Sequence, residues 1–188
     1  MKKIIIIRVV FTLVCILFII TSCLSLYFFN EMNTAKEQIA DDNYSHWHRL
    51  LHLTLKLDEN IKTLEDVSEF GLYENAIIYA TNDYLIPSFN GERTTNFRFL
   101  AVRYDSLFQD LARKSMHDQY LQQGFNLFME MNKELKQICE FVVNTENESN
   151  KGKLEIINNN SPLNKQLQTK IKEFCDKYDE EIAKLQHR

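Results

Sequence analysis

The chain has 188 residues, with 22 Lys and Arg against 26 Asp and Glu, a formal charge of −4. That balance leaves no basic footprint for nucleic acid, and four glycines with two prolines are too few for the tight turns of a sandwich or barrel. An all-α chain with one modest hydrophobic core is the expected class.

Residues 1–8 are a short basic end carrying Lys2, Lys3 and Arg8, and residues 9–29 follow without a single charge. At about 1.5 Å of rise per residue this run matches a hydrocarbon core of roughly 30 Å, and it exceeds the ~7–15 residues of a secretory h-region. A retained single-pass transmembrane helix, a signal-anchor, is therefore expected. Every acidic residue lies beyond it, beginning at Glu31. The positive-inside rule then places the N-terminus in the cytoplasm and residues 30–188 on the extracytoplasmic side, in the cell envelope. Three of the 22 basic residues precede Val9 and all 26 acidic ones follow Phe29, so that outer part carries a formal −7. A second reading of the same segment comes from Ile20-Thr21-Ser22-Cys23, which resembles the lipobox of bacterial lipoproteins and would make a lipidated Cys23 the first mature residue. Against it, Leu24, Leu26, Tyr27, Phe28 and Phe29 prolong the apolar run where lipoproteins have a polar tether.

Beyond the anchor, Leu50, Leu53, Leu57, Ile61, Leu64 and Val67 recur at spacings of three and four, which predicts a core-facing helix over 44–68. Asp41-Asp42-Asn43 are capping residues before it; the alternative is one rod running straight on from the anchor. Gly71 marks a turn. Tyr73, Ala76, Ile77, Ala80 and Tyr84 begin a second stripe that breaks at Pro87 and the turn dipeptide Asn90-Gly91. Helical spacing resumes with Phe97, Leu100, Tyr104, Leu107 and Leu111. Ser115 and Asp118 read as a capping box that opens a helix with the stripe Leu121, Phe125, Phe128, Leu135, Ile138 and Val142, although a single helix of about 50 residues is the competing reading. Residues 144–161, rich in Asn, Glu, Lys and Ser, are expected to be an exposed loop. Ser161 as N-cap and Pro162 at the first helical position then start a last helix, with Leu163, Leu167, Ile171, Phe174, Tyr178, Ile182 and Leu185 on one face.

Four amphipathic stretches of this kind predict an antiparallel four-helix bundle with coiled-coil-like packing. An N-terminal anchor followed by such a domain resembles, in architecture, the ligand-binding half of bacterial chemoreceptors. No motif residue carries over from that resemblance, and no second apolar span exists in the sequence.

Chemistry-bearing residues are sparse. Cys15 and Cys23 fall in the anchor, whereas Cys139 and Cys175 lie on or beside the stripes of the third and fourth bundle helices, so a Cys139–Cys175 disulfide is one reading and two buried thiols the other. His48 and His52, at i and i+4 within His46-Trp47-His48-Arg49-Leu50-Leu51-His52, could share a metal ion. Two ligands fall short of the three protein ligands of a catalytic zinc site, and no H-E-x-x-H spacing accompanies them, so surface histidines beside a packed Trp47 are expected and no metal site is assigned. Arg98 and Arg103 with Tyr104 could bind an anionic ligand between helices, but exposed arginines on an amphipathic helix read as solvated side chains. Neighbouring acidic pairs such as Glu65-Asp66 diverge by about 100° on a helix and make no carboxylate dyad. With no phosphate loop, no G-x-S-x-G and no C-x-x-C, neither catalytic residues nor a cofactor are assigned.

The function these observations favour is a non-enzymatic, membrane-anchored interaction module that meets a protein partner or its own copy. The alternative is a sensory or carrier domain holding a small molecule among Phe97, Phe99, Phe108, Phe125 and Phe128.

Overall fold

The computed structural model describes residues 2–70, 106–114, 118–147 and 150–186. All regular structure among these residues is helical. The elements are α1 (Lys2–Asn60), α2 (Leu64–Phe70), a helical segment at 106–112, α3 (Asp118–Asn147), α4 (Asn150–Ile157) and α5 (Pro162–Gln186). The chain divides into two compact units, 1–38 and 39–188.

The first unit consists of the N-terminal part of α1. Its large apolar side chains are exposed on every face of the helix, from Val9 and Phe11 through Phe18 (72% exposed) to Phe29. The polar atoms in this stretch are satisfied within the helix. Thr12 Oγ1 donates to the Arg8 carbonyl at 2.9 Å, and Thr21 Oγ1 to the Leu17 carbonyl at 3.0 Å. This back-bonding satisfies both threonine hydroxyls without water.

The second unit begins within the same helix. Between Asn30 and Asn60 no glycine or proline interrupts the sequence, and α1 runs through Asp41-Asp42-Asn43 without a cap. The helix is continuous through these residues, and the separate helix start expected there is absent. Asn43 is itself buried. It belongs to the series Ala40, Asn43, Trp47, Leu50, Thr54, Leu57 and Ile61, in which spacings of three and four alternate without a break. This is a 3.5-residue repeat, the period that keeps one seam facing a partner helix.

The expected helix over 44–68 is divided in two. Its first part closes with the Ile61 amide donating to the Leu57 carbonyl at 2.9 Å. Thr63 then acts as N-cap of α2. The Asp66 carboxylate accepts the Lys62 and Thr63 amides at 2.8 and 2.6 Å, while Thr63 Oγ1 accepts the Asp66 amide at 3.4 Å. This reciprocal capping box wins over the periodicity that runs through it.

α3 repeats the 3.5-residue pattern with Leu121, Phe125, Phe128, Asn132, Leu135, Cys139 and Val142, all buried. The segment before it ends without glycine. Lys114, at φ 49°, adopts the left-handed conformation, and its amide donates to the Leu111 carbonyl at 3.1 Å. The competing reading of one continuous helix is thereby excluded. Ser115 of the expected capping box lies outside the described residues.

Residues 144–161 are not the exposed loop expected. α3 extends to Asn147, and α4 occupies 150–157 with Gly152, Ile156 and Ile157 buried. Eight residues are too short for a periodic signal, and the asparagine-rich composition hides two apolar anchors. The true turn is 158–161, where the Ser161 amide donates to the Asn158 carbonyl at 2.8 Å. The expected N-cap is present: the Asn164 amide donates to Ser161 Oγ at 3.0 Å, and Pro162 opens α5. Asn164, buried, ties this end of α5 to α4 by donating its side-chain amide to the Ile156 carbonyl.

Contacts along the helices fix their directions. Asp58 meets Lys136 in the middle of α3, whereas Asp41, earlier in α1, meets Lys153 beyond the end of α3. Likewise Glu134 meets Lys177, and Phe141, later in α3, lies under Lys170, earlier in α5. α1 and α3 are thus antiparallel, as are α3 and α5. Their facing stripes, with Phe108 from 106–112 against Phe128 at 5.3 Å between ring centres, form one core around Leu50, Leu57, Leu135, Ile171 and Tyr178. Of the fourth bundle arm expected from 73–111, the described residues include only 106–111.

Candidate functional site

The candidate membrane helix is the feature the sequence marked most strongly. In the structure, residues 9–29 are helical throughout, and α1 is long and apolar enough there to cross a bilayer. Cys23, the lipidation candidate, is exposed on this helix, as is Cys15. Nothing in the helix breaks at Ser22-Cys23.

His48 and His52 are exposed on the outer side of α1 and His46 is half-buried. Trp47, between them, points the other way and is 2% exposed, part of the core. A 100° step per residue separates the two environments. Trp47 is a packing residue rather than an interfacial anchor. Among the described residues, no group of three His, Cys, Asp or Glu side chains could hold a metal ion.

Cys139 and Cys175 are not joined in a disulfide. Cys139 sits inside the core, and burial pushes its thiol well above the usual range. Cys175 is half-buried beside Phe174. The helix register explains the separation. Glu134 stands level with Lys177 and Phe141 with Lys170, so Cys175 is level with residues about three positions short of Cys139, an offset of roughly 4 Å along the axis.

Among the described residues of the second unit, a well-connected polar cluster lies on the α3–α5 face. Lys177 Nζ donates to Glu130 Oε1 at 2.8 Å, Glu134 Oε1 at 2.6 Å and the Tyr178 hydroxyl at 3.2 Å. Glu130 and Glu134, one turn apart on α3, present two acceptors to a single ammonium, and they raise the Lys177 pKa. Tyr178 is buried beneath it, and that burial raises the phenol pKa. Sequence reading assigned Tyr178 to the apolar face and missed the cluster. Its signal was the Glu130/Glu134 spacing, which has meaning only once α5 is placed opposite.

Two open grooves flank this cluster. One of about 250 Å³ is lined by Glu134, Gln137, Ile138, Lys170, Glu173, Phe174 and Lys177. The other, of about 350 Å³, is lined by polar residues of α3 and α5 around Leu127 and Leu185. Neither has the enclosed apolar lining that holds a small molecule. Of the aromatic residues suggested as a ligand pocket, Phe108, Phe125 and Phe128 pack into the core, whereas Phe97 and Phe99, like Arg98, Arg103 and Tyr104, lie outside the described residues.

No family profile matches the chain, and neither a curated protein nor a solved structure shows significant similarity to it.

Proposed function

We propose that the protein is a membrane-anchored, non-enzymatic interaction module: α1 crosses the bilayer with its N-terminus in the cytoplasm, and the helical domain of residues 39–188 stands outside to meet a protein partner or a second copy. The observation that carries this reading is the 9–29 stretch, apolar and exposed on all faces of α1 behind a basic end. Water would oppose so large an exposed apolar surface; a bilayer accommodates it. The filled core supports partner binding over a carrier role, since the described phenylalanines of the suggested pocket are used in packing.

The test is crosslinking in intact membranes followed by affinity purification of the full chain. A defined crosslinked species, either a homodimer or a complex with one co-purifying protein, is the expected result. A chain that stays monomeric and brings down no partner would remove the proposal. In parallel, intact mass and N-terminal sequencing of membrane-purified protein separate a retained helix from a lipidated species beginning at Cys23.

A further inference from the structure

Asn132 is the one fully buried polar side chain in the α3 stripe, and its neighbours in the repeat, Phe128 and Leu135, are fully buried as well. Its side-chain amide donates to the Thr54 carbonyl at 3.0 Å and to Asp58 Oδ1 at 2.7 Å, both on α1. The Thr54 hydroxyl, fully buried in the facing stripe, donates back to the Leu51 carbonyl at 2.8 Å. Asp58 Oδ2 is held from its other side by Lys136 Nζ at 3.0 Å.

We propose that Asn132, Thr54 and Asp58 form a register lock that commits α1 to one position along α3. On either side of this contact the two stripes are apolar at Leu50, Leu57, Phe128, Leu135 and Cys139, and such repeats superimpose on themselves after a shift of seven residues, about 10 Å. Burial alone discriminates weakly between those positions. A one-heptad slip would carry Asn132 from Thr54 to the level of Trp47 or Ile61, where a backbone carbonyl recurs but the Asp58 carboxylate does not, so that its amide loses the side-chain acceptor while remaining in the core. Hydrophobic burial drives the docking, and this polar contact selects its register. The lock does not depend on whether the protein binds a partner.

The test is Asn132→Leu in the full chain in detergent micelles, followed by amide NMR and thermal melting. The expected outcome is a cooperatively folded protein with an unchanged or higher melting temperature whose α1 and α3 amides give doubled or broadened signals, from more than one register. Asp58→Asn, which keeps an acceptor for Asn132, is expected to retain a single set of signals, and Asp58→Leu to lose it. A single set of signals in Asn132→Leu with wild-type contacts between α1 and α3 would overturn the lock. So would loss of folding in Asn132→Leu, since the residue would then supply stability rather than selection.

Discussion

At the residue scale, environment rather than identity decides what each side chain does. Cys139 and Cys175 look equivalent in sequence, but the buried Cys139 thiol, with its raised pKa, holds little thiolate at neutral pH. Native protein treated with iodoacetamide is expected to leave Cys139 unmodified until denaturant is added, as mass spectrometry of its peptide would show. The Lys177 cluster makes a second contrast. Lys177 is 41% exposed, so Lys177→Met is expected to cost less than about 1 kcal/mol, whereas Phe128→Ala in the closed core is expected to cost about 3–5 kcal/mol by urea unfolding. Asp66 supplies a pH dependence. Backbone amides of Lys62 and Thr63 hold its carboxyl below the ordinary carboxylate value. A pKa lower in the folded state gives stability that is complete above the unfolded value and is lost as pH falls through the folded one. Urea midpoints at pH 7 and pH 3 should therefore converge more in Asp66→Asn than in the wild type.

At the scale of elements, the helices that packing defines were legible in sequence, and the breaks between them only in part. The stripes of α3 and α5 and the Ser161-Pro162 start stand in the structure as read, because a periodic apolar face and a cap are local signals. The break at 61–63 was missed because Leu64 and Val67 continue the apolar spacing straight through the capping box of Thr63 and Asp66. The break before α3 was read from Ser115 and Asp118, but the residue that makes the turn, Lys114, carried no signal of its own. The left-handed conformation is usually announced by glycine, and here it is a lysine that adopts it. Lys114→Gly is accordingly expected to raise stability by about 1 kcal/mol, measured as an upward shift of the thermal midpoint. α4 was lost in composition, since its buried Ile156 and Ile157 sit among polar residues.

For the molecule as a whole, the sequence established the class and the anchor candidate but not the polar contacts. Those depend on pairs such as Asn132 with Asp58, 74 residues apart, and no local pattern encodes them. The division at residue 38 gives a prediction at this scale. A fragment of residues 39–188 is expected to be soluble and helical by circular dichroism, while the full chain partitions with membranes and resists carbonate extraction. A full-length protein recovered in the soluble fraction would count against the anchor.

The long α1 also sets a schedule for synthesis. Leu50, Thr54 and Leu57 are made early, yet the α3 residues that cover them lie some 75–90 positions later in the chain. At about 5–20 residues per second, translation leaves that stripe uncovered for roughly 4–18 s. During this interval Trp47 and its leucines are exposed on a nascent chain whose preceding segment is already apolar, so on the proposed reading delivery to the bilayer must outpace aggregation well before the domain can close.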